Sequence, residues 1–190
     1  ASASAARRAL MAGVGLSVEL QPADLDEEGL RQANPDLKPA DMAVRLAEAK
    51  AVAVSRMHPG VLVRGGDQIL EDDGAIVSKA ETLADVAARL RGFRGRTHRL
   101  HSGAALALDG QVVWRHVDTA ALTVRDFSEA WLAAYLEVEG EALTGVVGGY
   151  RLEGPGAQLF ARIDGDYFTI LGLPLWAVLE ALRDQGVVDR

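Results

Sequence analysis

The chain has 190 residues, 49% apolar and 25% charged, which fits one globular domain over 1–190 that buries its own core without staples. Its net charge of −7 argues against a nucleic-acid polymer as partner, because that affinity comes from clustered Lys and Arg neutralising phosphates. With no cysteine there is no disulfide scaffold, thiol nucleophile or Cys-ligated metal, and no apolar run approaches the ~18 residues of a membrane span, so a cytoplasmic chain with no membrane partner is expected.

Residues 5–12 are helix-forming, and Gly13 and Gly15 supply a stop. Residues 16–20 read as extended, and 22–29 as an acidic loop. Pro39 opens a helix that runs to Met57, with Met42, Leu46, Ala49 and Ala53 on one face. Residues 61–64 form a short apolar strand that empties into Gly65, Gly66 and Asp67. Ile69 and Leu70 pair with 75–77 across an Asp72-Asp73-Gly74 turn. A helix over 82–90 buries Leu83, Val86, Ala87 and Leu90. Residues 97–108 and 112–124 are long strands joined at Asp109-Gly110, and Ser128 caps the next helix. After a Gly-rich irregular stretch over 145–156, residues 159–163 and 167–170 look strand-like, and 174–185 are the last helix. Interleaved strands and helices with hairpins give an α/β fold with a mixed sheet.

Several familiar chemistries are missing: there is no phosphate-binding P-loop, no His-Glu-x-x-His and no nucleophile elbow. His98 and His101 sit three apart in a strand, so they face opposite ways and cannot share a metal. Asp67, just past a buried strand and behind two glycines, is either a site residue that a ligand can approach closely or a turn Asp bonding its own backbone. Asp24, Asp26, Glu27 and Glu28 form either a set of hard oxygen ligands or a solvated acidic turn. Of 20 basic residues only Lys38, Lys50 and Lys79 are Lys, which hints that a compact point charge is needed at some of them. Together Ser2, Ser4, Arg7, Lys50, Lys79 and two carboxylate sites make a kit for a triphosphate and its metal, with one Asp to activate water.

In order along the chain, these residues match a known pattern. Ala1-Ser-Ala-Ser-Ala-Ala-Arg7 opens it, followed by Asp26-Glu27 and Arg45-Leu-Ala-Glu-Ala-Lys50-Ala51. Gly65-Gly-Asp-Gln68, Ser78-Lys79-Ala80, Gly95-Arg-Thr-His98 and Ser102-Gly103 follow, then Gly148-Gly-Tyr-Arg-Leu-Glu-Gly154 and Gly165-Asp-Tyr167 with Gly172-Leu-Pro-Leu175. The sequence resembles the Maf family of nucleoside triphosphate pyrophosphatases, the septum-formation-inhibitor proteins, nearly end to end. The resemblance implies an elongated sheet split into two lobes around a deep cleft, often dimeric. It also implies hydrolysis of a nucleoside triphosphate to the monophosphate and pyrophosphate with Mg²⁺ or Mn²⁺. By the same carry-over Asp67 accepts the proton of the attacking water, Glu27 and Asp67 hold the metal, and Ser2, Ser4, Arg7, Lys50 and Lys79 bind the phosphates. Lys38 is then incidental. The chain opens inside the first motif, and a few further apolar residues forming a first strand are expected ahead of it. Ala5 and Ala80 stand where the family has proline.

Three positions set base choice in the family, and here they are Ala6, Gln68 and Glu153. Gln68 and Glu153 resemble the subgroup acting on 7-methyl-GTP, whereas Ala6 matches neither its Trp nor the Arg of the thymidine and uridine type. Glu is acceptor-only and suits the N1–H and N2–H₂ donors of guanine. Two other classes remain open: a nucleotide-binding division regulator acting through a partner, with Trp114, Trp131 and Trp176 as candidate contacts, and a phosphatase releasing orthophosphate.

Overall fold

The computed structural model describes Ala1 and residues 4–189. Among the described residues seven α-helices and five strands lie in the order α1 (Ala5–Gly13), α2 (Glu27–Gln32), α3 (Pro39–Ser55), β1 (Val63–Asp72), β2 (Ala75–Val77), α4 (Leu83–Phe93), β3 (Thr97–Leu108), β4 (Gln111–Val124), α5 (Glu129–Glu139), β5 (Phe160–Asp164), α6 (Tyr167–Ile170) and α7 (Leu175–Asp184). The strands form one sheet in the order β2-β1-β3-β4-β5, and the pairings β1–β2 and β4–β5 are antiparallel. The α/β class is as expected. Short turns join β1 to β2 and β3 to β4, whereas α4 lies between β2 and β3 and α5 between β4 and β5. Two such turns carry consecutive left-handed residues, Asp73 and Gly74 (φ 54° and 81°) and Asp109 and Gly110 (φ 51° and 77°), as the Asp-Gly pairs foretold.

The chain divides into two compact units. One comprises Ala1–Ile69, His101–Thr119 and Asp166–Arg190, and the other Leu70–Leu100 and Ala120–Gly165. In the first, β3 is buried on both faces. Ala104 and Leu106 pack with Met11 of α1 and with Leu175, Val178, Leu179 and Leu182 of α7. On the opposite face Ala105 and Ala107 meet Ala47 and Ala51 of α3. The period of two in the strand thus splits one apolar run between two helices.

The α3–sheet contact is unusually close, and glycine is the reason. A Cβ at Gly65 would lie 2.0 Å from the Ala47 carbonyl oxygen, and one at Gly103 would lie 2.4 Å from that of Ala43. The buried side of α3 is therefore Ala43, Ala47, Ala51 and Val54 beside Met42 and Leu46, while Ala49 and Ala53 are only half-buried. The helix turns its smallest side chains toward the glycines, which is why the expected face is rotated.

In the second unit α4 starts with a full capping box, Thr82 with Asp85, and buries Val86, Ala87, Leu90 and Phe93. The His98 ring stacks on Phe93 with centroids 4.4 Å apart, and its Nε2 lies 2.6 Å from the Tyr150 hydroxyl. Burial drives His98 down to about 4 and pushes the Tyr150 phenol up.

Three local expectations are corrected. Residues 167–170 are the short helix α6 rather than a strand, because the Asp166 carboxylate accepts from Phe168 N (2.9 Å) and Thr169 N (3.3 Å) and nucleates a turn. The acidic loop closes into α2, since Asp26 caps Gly29 N at 2.8 Å. Residues 16–20, expected to be extended, have no regular secondary structure and join no strand of the sheet.

Candidate active site

Asp67 does not lie beyond the end of a strand. It sits in the middle of β1, which runs on to Asp72, and it is buried. Gly65 does not open the backbone to a ligand either, since its missing side chain makes room for α3. What that approach achieves is a short ion pair. Lys50 of α3 lies with Nζ 2.6 Å from Asp67 Oδ1, and the two side chains are only 13% and 10% exposed. The same Nζ lies 2.9 Å from Glu27 Oε1, at the first residue of α2. One ammonium therefore bridges two carboxylates drawn from separate elements. Asp67 Oδ2 is left buried and makes no hydrogen bond with the described residues.

The acidic segment resolves into distinct parts. Asp26 is spent on capping, Glu28 is exposed and faces Arg31 and Gln32, and Asp24 is exposed. Only Glu27 reaches Lys50.

Arg7 projects from α1 beside this cluster. Its Nε donates to Gly172 O (2.6 Å) and its Nη1 to Gly66 O (3.1 Å). Burial pulls its guanidinium down from the ordinary value, and Asp67 and Glu27 oppose that pull through their charge. Ser4 is the N-cap of α1 and accepts from Arg7 N at 3.3 Å, so its hydroxyl has a helix-capping role. Ala6 follows on the first turn of α1, and Ser2 lies outside the described residues.

Gln68 is held from one side. Its Nε2 donates toward Ile170 O (2.9 Å), Thr169 O (3.1 Å) and Ser102 Oγ (3.1 Å), and the Ser102 hydroxyl itself donates to Thr169 O (2.7 Å). The amide NH₂ is thereby used by the protein, and Oε1 remains as the acceptor.

Ser4, Ala6, Arg7, Glu27, Lys50, Asp67 and Gln68 all belong to the first unit. Lys79 and Glu153 belong to the second, where both are exposed; Lys79 follows β2, and Glu153 lies 3.9 Å from Arg151 Nε. His98 and His101 bind different partners, Tyr150 and Thr119. Among the described residues no group of three or more His, Asp or Glu side chains could hold a metal. Of the three Trp residues, Trp176 is 64% exposed, with Nε1 donating to Asp166 (3.1 Å). Sequence reasoning passed over Arg64, whose signal was a lone charge inside an apolar strand.

The Maf-like protein family model matches residues 1–185. The chain belongs to the Maf family. Among its relatives, a nucleoside triphosphate pyrophosphatase of Maricaulis maris is 46% identical over 190 residues, covering 100% of this chain and 97% of that protein. One of the same name from Granulibacter bethesdensis is 48% identical over 185 residues, covering 96% and 94%. A 7-methyl-GTP pyrophosphatase of Rhizobium meliloti is 44% identical over 191 residues, covering 100% and 96%. In this Maf protein Asp67, Lys50, Glu27 and Arg7 lie in one compact cluster within the first unit. No helix among its described residues is long and apolar enough to cross a membrane.

Proposed function

We propose that this Maf protein is a hydrolase that splits a nucleoside triphosphate between its α and β phosphates, giving the monophosphate and pyrophosphate. The observation that carries the reading is the divided state of Asp67: Lys50 grips Oδ1 at 2.6 Å while Oδ2 is buried without a hydrogen-bond partner among the described residues. A carboxylate fixed at one oxygen and unused at the other is oriented to take a proton from water. Full-length relatives at 43–48% identity that are named as pyrophosphatases support the same reading.

The donor set suits a divalent cation. Two hard carboxylates, Asp67 and Glu27, with phosphate oxygens and water completing the shell, are what Mg²⁺ or Mn²⁺ accepts. Bound there, the ion supplies charge neutralisation on the phosphate oxygens. Arg7 and Lys50 contribute fixed positive charge, Arg7 already positioned by Gly66 O and Gly172 O. Water attacks phosphorus, the bridging α–β bond breaks, pyrophosphate leaves with the bond's electrons, and one proton of the water passes to Asp67. Ser4 and Lys79 complete the phosphate set in this proposal.

For the base, we favour 7-methyl-GTP over dTTP and UTP. Gln68 offers Oε1 as its remaining group, and Glu153 is acceptor-only, so both suit the donor edge of a guanine. Ala6 leaves that base without an aromatic platform, worth ~1–3 kcal/mol of stacking where one is present.

The test is pyrophosphate release from a panel of triphosphates with Mg²⁺, using wild type and Asp67→Asn. The variant is expected to lose ~10²–10⁴-fold in rate while remaining folded. Release of orthophosphate, or full activity in Asp67→Asn, rejects the mechanism. A preference for dTTP or UTP rejects only the base assignment.

A further inference from the structure

Arg64 lies in β1 three residues before Asp67, and the mechanism above does not use it. Its Nη1 is buried and makes no hydrogen bond with the described residues. The influences on its guanidinium are burial and the neighbouring charge of Arg7, which together bring it down to about 10, with no carboxylate offsetting them. The two arginines meet over Gly66. A Cβ there would lie 2.8 Å from Arg64 Nη1 and 3.5 Å from Arg7 Cδ, so the missing side chain is what leaves space for both. Arg7 shares its field with Asp67 and Glu27, whereas among the described residues Arg64 has the like charge of Arg7 and no offsetting carboxylate.

A buried cation with no anion and a second cation for company is costly in the empty protein. The cost disappears once an anion with several oxygens enters between the two forks, since guanidinium binds phosphate through paired N–H donors. We propose that Arg64 joins Arg7 in a two-guanidinium clamp for the phosphates of the nucleoside triphosphate, making it a further substrate-binding residue. This rests on the pyrophosphatase reading and extends it, because it assigns a phosphate contact to a residue of β1 that the family's motifs, as they stand in this sequence, do not include.

The clamp makes two effects of opposite sign at one position. Removing the charge relieves the empty protein and weakens the bound state, which a merely structural Arg64 cannot do. Inorganic pyrophosphate with Mg²⁺ is the probe, with affinity read by titration calorimetry and stability by thermal unfolding of the full chain. Arg64→Met is expected to unfold at or above the wild-type temperature and to bind pyrophosphate at least ~10-fold more weakly, the loss of a charge-assisted hydrogen bond. Arg7→Met serves as the reference. If Arg7→Met loses affinity and Arg64→Met keeps it, the clamp is overturned and the pyrophosphatase site stands. If neither loses affinity, both readings fall. Should Arg64→Met not fold, Arg64→Gln is read by the same affinity criterion.

Discussion

Replacing Gly65 by Ala tests whether helix–sheet packing sets the geometry of the Lys50–Asp67 pair. The added methyl would lie 2.0 Å from Ala47 O, 2.7 Å from Ala51 N and 2.9 Å from Ala51 Cβ, all on α3. Two of those atoms are backbone, so no rotamer change relieves the clash, and α3 must retreat by more than an ångström to restore ordinary contact. Lys50 lies between Ala47 and Ala51 on that helix, and its 2.6 Å contact with Asp67 is drawn apart by the same movement. Overpacking of this kind costs ~1–3 kcal/mol, and a misplacement near 1 Å at reacting groups costs ~10²-fold in rate. Urea unfolding and pyrophosphate release should therefore both fall. The control is Gly13→Ala, where an added Cβ meets nothing within 4 Å and stability should hold or rise slightly. If Gly65→Ala proves as stable and active as wild type, the idea that close packing of α3 positions Lys50 is refuted.

Two further outcomes follow from the structure. His98 is 1% exposed and its folded value of about 4 lies below the ordinary 6.5, so the folded state resists protonation. Its stabilising effect is full above pH 6.5 and is lost as pH falls toward 4, by about 3 kcal/mol. Urea midpoints across that window should flatten by about one proton in His98→Phe, and equal slopes in the two proteins would contradict a buried neutral imidazole. Glu27→Gln keeps an oxygen for Lys50 but removes a charged ligand, so the Mg²⁺ concentration for half-maximal rate should rise roughly ten-fold while thermal stability changes little. An unchanged Mg²⁺ requirement would remove Glu27 from the metal set.

Much of the fold was legible where a single physical signal dominated. The Asp-Gly hairpin turns, the Ser128 cap and the long strand Thr97–Leu108 all stand where periodicity and turn chemistry put them. Asp67 was legible as a residue but not in its setting. Gly65 and Gly66 looked like the end of a strand, because a glycine required by a neighbouring helix and a glycine in a loop are identical in sequence. The short helix α6 was hidden for a related reason: Tyr-Phe-Thr-Ile has strong strand propensity, and the Asp166 cap together with tertiary contacts overrides it. Lys50 and Glu27 came through the family pattern, since nothing local says that residues 23 apart share one ammonium. Arg64 was missed because its meaning lies in what surrounds it.

The residues of the candidate site also hold the chain together at one place. Arg7 binds Gly172 O, Gln68 binds Thr169 O and Ile170 O, and Ser102 binds Thr169 O. The end of α6 and the turn after it are thus moored by two side chains of the candidate site and by Ser102. Under the proposed base assignment, side chains at position 68 are not freely exchangeable, because any replacement must also moor two carbonyls. An acceptor-only residue there would unfasten α6, so under that assignment new specificity is reached more readily at Ala6 and Glu153, whose side chains make no such bond among the described residues.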